Sequence, residues 1–357
     1  MSYSRIESDD LVISSDSITA PIWTGGNPTQ TLFFTSSTQV ASSTGLFYVD
    51  VYQTGSTLSG SEVQFSLEYG HINGSGSAYY NDLVPGASPS RTVYGQYRTL
   101  IYGDENSNFN FGSALTSSAD IYVISINRAR YKESLFPGTL NLYLSGSTGN
   151  TIQLTDNSKS VSVVSYSDAG RIYDIVSGSN GTINATLNSS GFSGNSGSYG
   201  KFLPDVGLII LNPRALSSPK VSGGIDLSVS TAADTNGQNP SRLYSAIQGS
   251  SGFALNSSET ISSDYVFVRV KNSQFNYTTN PSMISGSGDF VYSSLINNPQ
   301  TYITTVGLYN DNNDLLAVAK LSRPLVKDFT REALVRVKLD FSLLWFIGLE
   351  GLMSYMF

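Results

Sequence analysis

A two-residue period recurs along this chain and limits its fold more than any other feature. From Val63 to Tyr69, Val63, Phe65, Leu67 and Tyr69 alternate with Gln64, Ser66 and Glu68. Successive strand side chains point to opposite faces, so such a segment buries one face and wets the other. Tyr265 to Lys271 repeats the pattern with Val266, Val268 and Val270 on one side. Leu334 to Phe341 does so with Val335, Val337, Leu339 and Phe341 against Arg336, Lys338 and Asp340. Further runs, Leu46–Tyr52, Ile121–Ile126, Thr139–Leu144, Ile172–Val176, Val206–Leu211 and Thr301–Tyr309, are rich in β-branched and aromatic residues and bounded by turn formers.

One hairpin is placed by its turn chemistry. Asn310-Asp311-Asn312-Asn313-Asp314 separates Tyr302–Tyr309 from Leu315–Leu321, and Asn and Asp tolerate left-handed backbone and bond their own main chain. With Leu334–Phe341 after the break at Pro324, the spacing predicts a three-stranded meander. Helical signals are few: Ser241–Gln248 after Asn239-Pro240, and Lys327–Ala333. The expectation is an all-β protein of antiparallel sandwich-like domains with long Ser/Gly/Asn-rich loops and few short helices. Ser177–Gly200 and Ser217–Asp264 read as long surface loops. The boundaries drawn are an N-terminal arm at 1–20, an N-terminal β domain at 21–130, a central β domain at 131–262, a C-terminal meander at 263–341 and an apolar extension at 342–357.

Composition then narrows the function. The 357 residues carry 20 Lys+Arg against 27 Asp+Glu, a net charge of −7, with one His and no Cys. Without cysteine there are no disulfides, thiolate metal sites or thiol nucleophiles. An acidic chain with no basic tract does not suit nucleic acid, whose phosphates require clustered Lys and Arg. Met1 to Asp16 has no apolar run of signal-peptide length, so export by a cleaved signal is not expected. His71 has no second His for a metal pair and reads as a turn residue. Asp104-Glu105 and Asp311 with Asp314 are the carboxylate pairs open to acid–base chemistry, but turn carboxylates commonly cap backbone, and Asp311–Asp314 lacks the Gly and distal Glu of a Ca²⁺ loop. Gly25-Gly26 and Gly191–Gly200 are not followed by the elements of a phosphate cradle. No cofactor or metal is expected, and the chain is not expected to be an enzyme.

Two features point to partners instead. Lys320, Arg323, Lys327, Arg331, Arg336 and Lys338 crowd one short segment with Asp328 and Glu332 opposing, a locally basic edge suited either to solvent or to docking on an acidic neighbour. Phe341–Phe357 is apolar apart from Glu350 and two Ser. Its length and composition leave three readings: a tail packed on a neighbouring subunit, self-burial, or a membrane anchor, for which it is short.

Several blocks resemble a family of virion structural proteins from contractile-tailed phages of marine cyanobacteria and related bacteria, associated with the tail and baseplate. They are Val63–His71, Thr92–Arg98, Ile121–Glu133, Gly170–Ser179, and the run Thr301–Asn310, Leu315–Ser322 and Arg331–Phe341. The resemblance covers most of Ile13–Phe341, is poor over Leu216–Asp264, and does not extend to Ser342–Phe357. It implies a non-enzymatic structural subunit of a virion, made in the host cytoplasm, whose partners are other virion proteins and copies of itself, with no nucleic acid and no stable membrane insertion. Tyr and Trp give amphipathic contact area. The interface candidates are Tyr302, Leu308, Tyr309, Arg323, Arg331, Arg336, Lys338, Trp345 and Phe346. Two alternatives stay open: a tail-fibre connector or receptor-binding module reading host-surface glycan, with Trp23 as a stacking platform, and a capsid-associated structural protein.

Overall fold

The computed structural model describes residues 3–23, 29–30, 34–36, 48–53, 62–74, 90–112, 118–146, 149–184, 198–216, 225–227, 229, 238–250, 252–278, 280–342 and 354–356. In chain order the strands are β1 (Tyr3–Arg5), β2 (Leu11–Pro21), β3 (Thr29–Gln30), β4 (Phe34–Ser36), β5 (Tyr48–Gln53), β6 (Val63–His71), β7 (Asp120–Ile126), β8 (Ser134–Leu135), β9 (Asn141–Ser145) and β10 (Thr151–Asp156). They continue with β11 (Ser165–Ser167), β12 (Gly170–Ser179), β13 (Thr182–Ile183), β14 (Gly200–Leu203), β15 (Leu208–Leu211), β16 (Phe253–Ala254), β17 (Asn256–Val270), β18 (Thr301–Tyr309), β19 (Leu315–Lys327), β20 (Ala333–Ser342) and β21 (Ser354–Met356). The α-helices are Ser90–Tyr102, Pro213–Leu216, Gln238–Gln248 and Ser293–Asn297. The fold is all-β, built on large antiparallel sheets with few short helices.

The chain forms two units, Thr19–Glu259 and a discontinuous one made of the described residues up to Ile18 and from Thr260 onward. In the larger unit one hydrogen-bonded path runs β3-β16-β9-β10-β12-β14-β15-β7-β6-β5-β4, with β11 and β13 on β12. Its middle strands, β15 and β7, are the two continuous apolar runs, paired Ile209 to Ile124 and Ile210 to Val123. Residues on either side of Tyr131 thus share one sheet and one core. The helix Ser90–Tyr102 was not expected. It buries Val93, Tyr94, Tyr97 and Ile101, three to four residues apart along one face, against β6. Gly70 of β6 permits that approach, since a Cβ there would lie 2.8 Å from the Tyr94 backbone nitrogen.

The loop reading of Ser217–Asp264 is also corrected in part. The helix Gln238–Gln248 includes the expected Ser241–Gln248, but β16 and the first half of β17 follow, with Phe253 and Leu255 buried. Among the described residues Ile225, Leu227, Leu243, Ala246, Ile247, Phe253 and Leu255 reach the core. Ser177–Gly200 supplies the end of β12, β13 and the start of β14. Residues 185–197, 217–224, 228, 230–237 and 251 lie outside the described residues, as do Gly25 and Gly26.

The smaller unit is a sandwich of two sheets, β1-β21-β18-β19 and β2-β17-β20, the latter's β17 also pairing with β8 at Ser257 and Ser258. Val306 and Leu308 from the first meet Val266, Val268, Val335 and Val337 from the second, with Ile6 closing the cluster. Period two thus delivers one apolar row per strand to a shared interior. The β18–β19 hairpin forms as expected around Asn310–Asp314, where Asn310 Oδ1 accepts the Asp314 N–H at 2.7 Å. The third strand of the expected meander does not join it. β20 pairs instead with β17, from Val270 opposite Ala333 to Ile261 opposite Ser342. The cause is the turn at Asp328, whose carboxylate accepts the N–H and hydroxyl of Thr330 at 2.8 and 2.6 Å and carries the chain into the second sheet. The helix expected over Lys327–Ala333 is that turn and the strand ends flanking it.

Candidate assembly surface

The second sheet of the sandwich turns a cationic and aromatic face outward. On β20 the residues that alternate with the core valines are Leu334, Arg336, Lys338 and Asp340, and they stand opposite Arg269, Phe267, Tyr265 and Ser263 of β17. The Arg336 guanidinium carbon lies 5.5 Å from the Tyr265 ring centroid, and Lys338 Nζ lies 5.8 Å from it. Lys338 Nζ is 2.8 Å from Asp340 Oδ1, which also accepts the Ser263 hydroxyl at 2.6 Å. The hydrogen bond to Asp340 holds the ammonium above its ordinary range, with a smaller pull from Asp16 on β2. The Lys338 and Ser263 bonds hold the Asp340 carboxyl below its own. Leu334 is 59% exposed, a large apolar side chain beside two cations.

The first sheet presents the outer side of the β18–β19 hairpin. Tyr302, Leu315, Leu316 and Val318 are exposed. The Tyr309 ring lies across Gly307, where a Cβ would sit 2.9 Å from Tyr309 Cε2 and 3.4 Å from Leu315 Cδ1. An aromatic laid over a strand glycine restores the packing that the missing side chain forgoes. The ladder is broken at one point. Ile303 faces Leu325 and Thr305 faces Lys320, so Leu321–Pro324 bulge where β18 has Thr304 alone. Pro324 has no N–H to give a ladder, and the bulge lifts Arg323 into solvent.

These placements sort the expected interface residues. Tyr302, Arg323, Arg331, Arg336 and Lys338 are exposed, and Tyr309 is partly covered. Arg331 Nε lies 3.6 Å from Asp328 Oδ2 on the crossing turn. Leu308 is corrected: it is fully buried between the sheets and supports the hairpin from within. Lys327, counted with the basic edge, is also internal. Its Nζ donates to Asn272 O, Asn276 Oδ1 and Asp328 O at 2.9, 2.9 and 2.8 Å, and burial pulls its ammonium below the usual range. Trp345 and Phe346, with most of the apolar extension, lie outside the described residues.

The residues weighed for chemistry and recognition are tied to structure. His71 Nδ1 accepts the Asn73 N–H at 3.0 Å. Asp104 accepts from Asn106 and Ser107, and the Ser107 hydroxyl lowers its titration. Trp23 is buried, its Nε1 donating to Phe253 O at 2.9 Å and its ring packed on Phe65 and Phe253, so it is no platform for a glycan. One titratable pair escaped the sequence: the Tyr97 hydroxyl donates to Glu68 Oε1 at 2.9 Å, and burial pushes the Glu68 carboxyl up to about 7. In the same unit Ser66, Asn127, Arg128, Tyr131 and Asp205 line an open cleft of about 540 Å³. Its charged groups are engaged, Arg128 over the Tyr131 ring and Asp205 with Arg171. Among the described residues no cluster of three or more His, Asp or Glu is placed to hold a metal ion. No helix among them is long and apolar enough to cross a membrane. Compared with protein-family models, curated proteins and solved structures, the chain matches none.

Proposed function

We propose that this protein is a non-enzymatic structural subunit of a contractile-tailed phage virion, built into the tail or baseplate through its β-rich surfaces. The observation that carries the reading is the outer surface of the smaller unit. Tyr302 and Val318 stand more than half exposed on the outer side of the first sheet with the exposed cations Lys320 and Arg323, Leu334 does so on the outer face of the second with Arg336 and Lys338, and Phe329 does so with Arg331 on the turn between β19 and β20. Large apolar and aromatic side chains beside arginine are the composition of protein interfaces, and each of these exposed apolar groups on a lone molecule invites a partner. The resemblance of the Thr301–Phe341 blocks to tail-associated virion proteins supplies the setting.

The test is immunogold labelling of purified particles with an antibody against Thr301–Phe341, run on intact and gently disrupted particles. Label at the tail end is the expected result. Label on the head makes the protein capsid-associated, and no label on either preparation overturns the virion reading.

A further inference from the structure

We propose that copies of this protein join head to tail through the second sheet of the smaller unit, the β2 edge of one copy pairing with the β20 edge of the next. The inference rests on the structural-subunit reading for its setting and adds the contact itself.

The two sheets of the sandwich end differently. The first is blunt at both sides: β1 has three residues, and β19 carries Lys320, Arg323 and the bulge at Pro324. A short strand, a bulge, a proline and charged side chains are the devices that keep an edge from accepting another strand. The second sheet has none of the backbone devices along its edges. β2 runs for 11 residues with no Lys or Arg and no Pro before its last position, and Val12, Ile13 and Ile18 on it are about half exposed or more. β20 runs for 10 residues in an unbroken register with β17. Among the described residues, each of the two pairs on one side only, with β17. Among the described residues, then, two long, regular, matched edges, each about 33 Å at the rise of a strand, carry main-chain groups with no strand partner.

Charge decides which edge meets which. Glu7, Asp9, Asp10 and Asp16 lie on or just before β2, with no base from Glu7 to Ile18, and of these Asp10 is already 3.6 Å from Arg269. On the other flank, β19 and β20 are joined through Asp328–Glu332 and display Lys320, Arg323, Arg331, Arg336 and Lys338 against Glu332 and Asp340. A β2–β2 contact sets acid against acid, and a β20–β20 contact sets base against base. Only the mixed contact is complementary. The backbone allows it. Ser257 bonds Ala20 O and Ile22 N–H bonds Leu255 O, so β2 runs antiparallel to β17, as β20 does. β2 and β20 are therefore parallel, and a neighbour in the same orientation continues the sheet with a parallel pair. Such a heterologous contact closes into a ring or grows as a filament.

The test is sedimentation velocity of the purified chain across the micromolar range, with three variants. Wild type should associate with rising concentration. Arg336→Glu with Lys338→Glu, and separately Glu7→Lys with Asp9→Lys and Asp16→Lys, should each raise the concentration needed by tenfold or more. Mixing the two reversed proteins should restore association, because each offers the flank the other lost. Combining all five changes in one chain should restore self-association. Circular dichroism checks that each variant is folded, and amides of 11–18 and 333–342 should gain hydrogen-exchange protection on association. A monomer at every concentration, association that mixing fails to restore, or protection confined to other strands would overturn the contact. Unlabelled particles alongside these associations would remove the virion setting and leave the contact standing. Labelled particles with a monomeric chain would do the reverse.

Discussion

Glu68 is a carboxyl that works best uncharged. The folded chain holds a proton on it up to about pH 7, while the unfolded chain releases that proton near 4.5. Its share of stability is therefore whole below pH 4.5 and is lost as the pH rises through 7. Glu68→Gln should flatten that decline, leaving the variant about 1–3 kcal/mol better placed than wild type at pH 8 relative to pH 4.5, read from thermal melts at each pH. Lys327 is the opposite case, a buried cation with every donor used. Lys327→Met should weaken the smaller unit by about 2–4 kcal/mol by orphaning three acceptors, measured as lost hydrogen-exchange protection over β18–β20. Neither role is legible in the sequence. Glu68 holds the wet position of its alternation and Lys327 sits in a basic run, so both look solvated until the partner elements are placed.

At the scale of elements, alternation and turn chemistry carried the reading far. Val63–Tyr69, Tyr265–Val270 and Thr301–Tyr309 are strands, and Asn310–Asp314 is their kind of turn. The helix Ser90–Tyr102 was hidden because Thr, Val and Tyr favour strands and Gly95 opposes helix, while the stripe that buries it shows only once β6 is beneath it. That packing gives a paired prediction. Gly70→Val should push on the Tyr94 backbone and cost about 1–3 kcal/mol, whereas Gly95→Ala, with open space around its Cβ, should stabilise by up to about 1 kcal/mol. Denaturant midpoints of the two variants decide it. The destination of β20 was illegible for another reason. Its pattern specifies a half-buried strand, and the Asp328–Thr330 turn that carries it across reads in sequence as a reversal without naming the strand it will pair with.

For the whole molecule, the interior is divided between the extended core of the larger unit and the smaller clusters around Leu308 and Ile303. Separate cores of unequal size should unfold in separate steps, and a single all-or-none transition is not expected. Calorimetry should show two transitions, with Lys327→Met moving one and Gly70→Val the other; coincident shifts would contradict this. The resumption of alternation near Ser263 after a polar stretch falls inside β17, which begins at Asn256. The pairing of β7 with β15 was not legible, because a sheet that crosses sequence distance leaves no mark in composition.

The smaller unit's discontinuity also has a consequence in time. Tyr3 pairs with Met356, and β2 lies against β17, so the strands at the start of this sequence have no partners until its last third has been made. At ordinary synthesis rates of about 5–20 residues per second, they wait on the order of ten to fifty seconds while Thr19–Glu259 emerges. A nascent chain cannot present an ordered acidic edge and an ordered basic edge together before β20 leaves the ribosome. On the proposed edge contact, growth by addition of copies is reserved for chains whose translation has passed the final strands, and interrupted products are kept from capping or poisoning an assembly.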